Sequence, residues 1–501
     1  MASASSLGGV VASESSLASA IGAGVLGSGG GAVDAAVAVG LSLAVVVPHL
    51  GGVGGDFFML YRSPEGRVYF VNGSGFSPAR LSRDEVLGRG LGSIPREGPL
   101  AATVPGLVGG LYEAWRRFGS LEWASLVAPA RRLAARGFPL PRGTWRSANA
   151  RRECLERDPG SREALKDILI GEPGGAVRMP GLAALLEGVE EDPWYFYRGE
   201  PAEALEEYLA SIGGVMTRED LRSYRPLTAE PLEGEYRGWR LYEMPPNTQG
   251  ATTLHLLYML EEEGVKGEPF RRDRVLQLER MARVAYAVRD RYIGDPQYMS
   301  LTPEELASRD VFKRLAAELS NPNKPGGVEK GDTTFFAIAD GEGGVVAGIQ
   351  SLYYPWGSCV TEPRFQVTLN NRALGFTLEE GLPRSLRPRA RPLHTLSAVV
   401  MEGEGRVVAL GASGGLLRPQ QHALFVTNII DYSMGVYEAI NAPRAVWDPG
   451  RDAIICEEGF ECPEGGVRVE RIGVANAVEV RGAVKHGYTD KRGEGLPAPA
   501  P

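Results

Sequence analysis

Apolar positions along the chain fall into two textures, and the change between them lies near residue 332. Residues 15–26 carry helical spacing, residues 27–31 read as a glycine-rich turn, and residues 32–47 read as a second, buried helix. A further glycine turn at residues 51–55 precedes two alternating runs, 57–62 and 68–72. With the polar Ser63 to Gly66 between them, these predict a β-hairpin. From about 105 to 290 the texture is helical, with apolar residues recurring at three and four positions in 107–118, 121–136, 180–189, 202–211 and 251–263. Thr217 to Asp220 has the form of a helix-starting capping box before Leu221. Residues 321–331 (NPNKPGGVEKG) are polar and punctuated by Pro and Gly, as in an exposed loop.

After this loop the period changes to two. Strands are predicted at 334–339, 345–352, 365–369, 397–401 and 407–411, with hairpin turns at 341–344 and 402–405. Residues 417–432 read as a helix, and the Pro- and Gly-rich end 493–501 as a disordered tail. Strand pairs alternating with helix blocks imply a layered α/β (α+β) fold, its sheets buried between helices. A chain of 501 residues is long enough for a large core.

Composition narrows the function classes. A net charge of -8 with no concentrated basic face argues against nucleic acid; the basic run 384–391 is short and has no interleaved aromatics. The longest apolar run near the start, 35–47, is shorter than the ~20 residues that cross a bilayer, and no basic n-region precedes it. A cytoplasmic protein without membrane contact is the expectation. Cys154, Cys359, Cys456 and Cys462 make no CxxC pair or zinc spacing, so free thiols in a reducing compartment are expected, with a Cys456–Cys462 hairpin bridge as the alternative. The five histidines are scattered, and neither a metal nor a cofactor is expected.

Three motifs carry possible chemistry. Gly27-Ser-Gly29-Gly-Gly-Ala32 has the letters of a dinucleotide fingerprint, but it follows a helix rather than a strand, which favours a plain helix–helix turn. Gly411-Ala-Ser413-Gly-Gly415 follows a strand and opens a helix, the setting of a serine nucleophile elbow, with Asp431, Asp448 or Asp452 and His486 downstream as partners. Its double glycine also suits presentation of backbone N–H groups to an oxyanion. The third is Asp332-Thr333-Thr334 at a strand start. If the chain breaks before Thr333, the new α-amine, with a pKa of roughly 8, lies on the same residue as the hydroxyl and can take its proton. On its own, Thr-Thr at a strand start reads as structural.

Several stretches, in order and at matching spacing, resemble gamma-glutamyltranspeptidases: Gly29 to Ala38, Val47 to Gly55, Val104 to Leu111, Gly137 to Pro139, Gly214 to Leu221, Met244 to Gly250, Asp290 to Pro296, Asp332 to Thr334, Leu369 to Asn371, Gly411 to Gly415, Asp431 to Arg444 and Asp490 to Gly493. The resemblance implies the four-layer αββα sandwich of N-terminal nucleophile hydrolases. It also implies self-cleavage before Thr333 into a large subunit, 1–332, and a small subunit, 333–501, which remain one intertwined domain. Thr333 becomes the nucleophile and Asp332 the other side of the processed bond. Ser351 stands where the family has a threonine hydroxyl bonded to the nucleophile. Gly414 and Gly415 stand at its backbone oxyanion hole. The partners implied are a small amide or γ-glutamyl substrate and the chain's own two fragments, with a homo-oligomer possible.

Departures from the family pattern bear on specificity. Phe335 replaces a histidine. Ser74 stands where an arginine holds the γ-glutamyl α-carboxylate, and His394-Thr395 stand for a serine pair that supports it. Gly375 replaces the aspartate that holds the α-ammonium, Arg372 a second polar residue, and Tyr353 an asparagine. The expected activity is amide hydrolysis with altered acyl recognition, of an acyl group without an α-amine, held by Arg372 and His394. A true gamma-glutamyltransferase or glutathione hydrolase is the enzymatic alternative, and an unprocessed binding protein the non-enzymatic one. Residues 377–390 are short for the family's pocket lid, so an open site is expected.

Overall fold

The computed structural model describes residues 2–319 and 332–501, Asp332 by its backbone alone. The loop expected at 321–331 lies outside the described residues. Two seven-stranded antiparallel sheets face each other. The first runs Ala498–Pro499, Gly9–Ala12, Asp332–Asp340, Val345–Tyr353, Asp56–Arg62, Val68–Gly73 and Leu227–Ala229. The second runs Ser3–Ser6, Val484–Thr489, Ala475–Arg481, Arg406–Ala412, Val399–Gly403, Trp239–Glu243 and Leu232–Tyr236.

Side-chain alternation builds the layers. Along Asp332–Asp340, Phe335, Ala337 and Ala339 point between the sheets, where they meet Phe58, Leu60, Val400, Ala409 and Val478. Their neighbours Phe336 and Ile338 point outward into a second core with the buried helix Ala32–Val46 and the apolar face of Leu107–Phe118. On the far side, Leu241, Met401, Val408 and Leu410 pack under Gly250–Glu263, Arg272–Tyr292 and Arg418–Ile430. Three apolar seams between four layers make the expected αββα sandwich. Phe335 is fully buried against Gly411, so an apolar ring there serves the inter-sheet core. Among the described residues no helix is long and apolar enough to cross a membrane.

Several expectations are corrected. The end of the chain is ordered: Ala498–Pro499 pairs with Gly9–Ala12, and the Ala500 N–H donates to the Gly9 carbonyl at 2.8 Å. The strand expected over 365–369 shrinks to Val367–Thr368, paired with Thr361–Glu362 outside the main sheets. The cysteines are not free thiols: Cys154 is bonded to Cys359 and Cys456 to Cys462. The Thr217 capping box is present, and the Gly27–Gly31 segment is the plain turn between Ser16–Gly27 and Ala32–Val46.

Candidate active site

A β-bulge sets the geometry. Asp332 pairs with Tyr353 and Thr334 with Gln350, so Ser351 and Leu352 together oppose Thr333. On its other edge Ser351 pairs with Asp56. Thr333, Ser351 and Asp56 therefore lie in one row across three adjacent strands. The Thr333 hydroxyl donates to Ser351 Oγ at 3.4 Å, and Ser351 Oγ accepts the Tyr353 N–H at 2.7 Å. Tyr353 is held at φ 85°, a left-handed conformation unusual for a side-chain-bearing residue. All these groups are buried; Thr333 is 1% exposed in the uncut chain.

At the Asp56 end, four of the expected binding residues meet. Asp56 Oδ1 accepts the Gly75 N–H at 2.9 Å, while Oδ2 lies 3.0 Å from His394 Nε2 and 3.5 Å from Arg372 Nε. Arg372 Nη1 donates to Thr395 Oγ1 at 3.3 Å, and the guanidinium lies 4.3 Å over the Tyr353 ring. Arg372 Nη2 is buried and has no acceptor among the described residues. Burial raises the Asp56 carboxyl to about 6, against the opposing pull of Arg372. Burial likewise lowers Arg372 to about 10, with Asp56 opposing, and drives His394 well below its ordinary value, helped by Arg372 and Arg418. Near pH 7 this buried cluster thus holds an aspartate–arginine pair and a neutral imidazole.

Ser74 and Gly375 lie apart from this cluster. The Ser74 hydroxyl donates to Asn72 Oδ1 at 2.7 Å within a buried network with Asn247, one residue behind the Gly75 N–H that binds Asp56. Gly375 ends a short turn, Arg372–Gly375, pressed on the next segment: a Cβ there would lie 2.3 Å from the Leu393 carbonyl oxygen. No side chain, and so no carboxylate, fits at that position.

Gly414 and Gly415 follow the strand Arg406–Ala412 and precede the helix Arg418–Ile430. Gly414 sits at φ 137°, and its Cβ would lie 2.7 Å from Gln421 Oε1, so the turn requires glycine. Neither glycine's N–H has an acceptor among the described residues. Two side chains fix this turn to the row. Gln249 Nε2 donates to the Gly415 carbonyl at 2.9 Å and the Thr395 carbonyl at 2.7 Å, while Arg289 Nη1 donates to Gln249 Oε1 at 3.1 Å. Arg418 donates through Nε to the Ala412 carbonyl at 2.6 Å, through Nη1 to the Thr395 carbonyl, and through Nη2 to Thr333 Oγ1 at 3.1 Å. A groove of about 1410 Å³, lined in part by His49, Leu50, Pro355 and Val474, runs beside the turn without including Thr333.

The serine-elbow alternative does not assemble. Ser413 Oγ accepts the Val474 N–H at 2.8 Å, and His486 bonds Ser5 in a different strand pair. Asp431 holds Tyr236 and Arg237, Asp448 pairs with Arg451, and Asp452 with Arg283. The basic run 384–391 is used internally: Arg384 donates to the Asp290 carbonyl, Arg387 to the Leu382 carbonyl and Arg391 to the Ser74 carbonyl. The Glu97, Cys154 and Cys359 cluster offers no thiolates to a metal, because its sulfurs are paired.

Sequence reasoning overlooked Asp56, Gln249 and Arg418. Each left a trace: Asp56 is a charge heading an otherwise apolar run, Phe57 to Leu60, and Arg418 is a cation at a helix N-terminus, where the helix dipole disfavours it. Gln249 lies inside the Met244 to Gly250 stretch already singled out.

The family model described as gamma-glutamyltranspeptidase matches residues 18–499. A glutathione hydrolase-like YwrD proenzyme of Bacillus subtilis is 34% identical over 87% of this chain and 85% of its own length. An oxamate amidohydrolase proenzyme of Klebsiella pneumoniae is 30% identical over 97% of this chain and 96% of its own. Among solved structures, a cephalosporin acylase from Bacillus halodurans superimposes with a TM-score of 0.89 at 28% identity, covering 100% of this chain and 97% of that one.

Proposed function

The chain belongs to the gamma-glutamyltranspeptidase family, and from that premise we propose that it is a self-processing amidohydrolase whose acyl pocket takes an anionic acyl group without an α-amine. It cuts itself between Asp332 and Thr333 into fragments 1–332 and 333–501. The Thr333 oxygen bonds to the Asp332 carbonyl carbon, the C–N bond breaks, and the hydroxyl proton ends on the freed nitrogen. Water then splits the ester, leaving a carboxylate on Asp332 and restoring the hydroxyl.

In turnover the freed α-amine takes the hydroxyl proton as Thr333 attacks the substrate amide. The Gly414 and Gly415 N–H groups receive the carbonyl oxygen as it becomes an oxyanion. Removing one donor of such a hole typically costs ~3 kcal/mol. The leaving amine carries the proton away, and water releases the acid from the acyl-enzyme. Hydrolysis is favoured over transfer to a second amine.

The observation that carries the specificity is the Arg372 guanidinium, buried beside Thr395 and Tyr353 with its Nη2 lacking an acceptor among the described residues. A carboxylate on the acyl group satisfies that nitrogen. An α-ammonium has no equivalent partner, because Gly375 cannot bear a carboxylate and Asp56 is engaged by Arg372 and His394. The amidohydrolase among the relatives suits this reading. The test compares release from a glutaryl anilide and a γ-glutamyl anilide, which differ only in the α-amine. The glutaryl compound is expected to react faster; a large preference for the glutamyl compound would replace this reading with a true gamma-glutamyltransferase.

A further inference from the structure

We propose that Arg418 is a catalytic residue that serves Thr333 twice: it steadies the Thr333 oxygen while the chain cuts itself, and it keeps the freed α-amine unprotonated during turnover. The inference rests on Thr333 being the nucleophile.

Arg418 is fully buried at the first position of the helix Arg418–Ile430. The placement is unfavourable twice over, since a cation is desolvated and faces the positive end of a helix dipole. What it touches accounts for it. Its three nitrogens bind three separate segments: the Ala412 carbonyl, the Thr395 carbonyl and Thr333 Oγ1, the last at 3.1 Å. A guanidinium has only donors, so it cannot act as the base. It fixes a lone pair of the Thr333 oxygen and leaves the hydroxyl proton to point toward Ser351 Oγ, 3.4 Å away.

In the uncut chain the Thr333 nitrogen is an amide and cannot accept the hydroxyl proton beforehand. As the oxygen bonds to the Asp332 carbonyl carbon, its proton shifts to Ser351 Oγ and the Ser351 hydroxyl proton passes on to the departing nitrogen, so negative charge develops on the Thr333 oxygen while its O–H bond breaks. A fixed cationic donor offsets that charge without rearrangement. After cleavage the requirement changes. The new amine must be neutral to act as a base, whereas its ordinary pKa of roughly 8 leaves it mostly protonated at pH 7. A cation one hydrogen bond from the same residue's oxygen disfavours the protonated amine.

Among the described residues, the other charged or titratable groups gathered along the Thr333, Ser351 and Asp56 row are Arg372 from the turn Arg372–Gly375, Asp56 from the strand Asp56–Arg62, His394, and Tyr353 from the strand Val345–Tyr353; the Asp332 carboxyl, next to Thr333 in sequence, lies outside the described side chains. Asp56 is committed to Arg372 and His394, so Arg418 is the cation placed to act on the amine.

The test uses the full chain made by cell-free synthesis, as wild type, Arg418→Gln and Arg418→Lys. Self-cleavage is timed on reducing gels, and kcat/KM of the cleaved fraction is followed against pH with an anilide substrate. Arg418→Gln is expected to slow cleavage tenfold or more and to raise the acidic limb of the pH profile by roughly one unit or more. Arg418→Lys keeps the charge but loses the three-way fork, so it should slow cleavage while leaving the acidic limb in place. This variant decides the matter if the glutamine variant does not fold. A folded variant of either kind that cleaves at the wild-type rate overturns the first role. An unmoved acidic limb in Arg418→Gln, or a limb in Arg418→Lys displaced as far as loss of the charge requires, overturns the second. Cleavage that persists in Thr333→Ala refutes the nucleophile itself, and with it both roles.

Discussion

Replacing Arg372 with methionine tests how the acyl pocket selects its substrate. The side chain keeps most of its length, so packing over Tyr353 is partly retained, but the cation and its unused Nη2 are lost. A carboxylate bound to that nitrogen makes a charge-assisted hydrogen bond worth about 1.5–3 kcal/mol. At about 1.4 kcal/mol per factor of ten, this is roughly a 10- to 100-fold effect on kcat/KM. The substitution also strips Asp56 of its counter-charge, and breaking a buried pair costs about 3–5 kcal/mol of stability when the charge stays. Asp56 has an escape: its carboxyl already titrates near 6, so without Arg372 it takes up a proton and the stability cost shrinks. The assay is the ratio of kcat/KM for a glutaryl anilide to that for the uncharged valeryl anilide, which cancels any change in the amount of folded enzyme. The ratio is expected to fall roughly 10- to 100-fold. A folded, self-cleaved Arg372→Met enzyme with the wild-type ratio would refute the assignment of Arg372 to the acyl carboxylate.

Asp56 makes the same pocket pH-dependent. Its raised pKa means that the folded state holds the proton more tightly than the unfolded one. The stability it contributes is therefore full below its unfolded value near 3.8 and is lost as pH rises through about 6. As pH falls through about 6, Arg372 loses its counter-charge, so KM for a glutaryl donor should fall, and Asp56→Asn should remove that dependence in steady-state kinetics. Gly414→Val places a branched side chain at φ 137° against Gln421; kcat should drop roughly 100- to 1000-fold in single-turnover assays, as for loss of an oxyanion donor. Cys154 lies before the processing point and Cys359 after it, so the two fragments should migrate together on non-reducing gels and separate only with reductant. Phe335→Ala should lower stability by about 3–5 kcal/mol in denaturant titration, because it empties the seam beneath Gly411.

The fold was legible where one period ran long enough to be read. The helix at residues 107–118 matches Leu107–Phe118, and the hairpin strands on either side of residues 341–344 differ from expectation by at most two residues at either end. The strands Gly9–Ala12, Ala475–Arg481 and Val484–Thr489 went unread. Gly9–Ala12 is short, and its partners Asp332–Asp340 and Ala498–Pro499 lie hundreds of residues away. The helix Arg272–Tyr292 is studded with arginines that blur its apolar stripe, although Arg274 and Arg289 are buried on it. At the site, the family resemblance supplied Thr333, Ser351 and the two glycines. It could not supply Asp56 or Arg418, since their roles follow from a bulge and from three segments converging on one guanidinium. Gly375 shows the converse. Alignment reads it as a missing carboxylate, whereas the structure gives the reason, a backbone carbonyl where the Cβ would be.

The central claim is that Thr333 becomes an N-terminal nucleophile, and mass spectrometry of the reduced protein tests it most directly. The 53.8 kDa chain should be replaced by two fragments, 1–332 and 333–501, the second beginning with threonine. Treatment with an acylating inhibitor should add one acyl group to that threonine, while Thr333→Ala stays intact. A wild-type chain that remains at 53.8 kDa, or an acyl group found on Ser413 in place of Thr333, would contradict it.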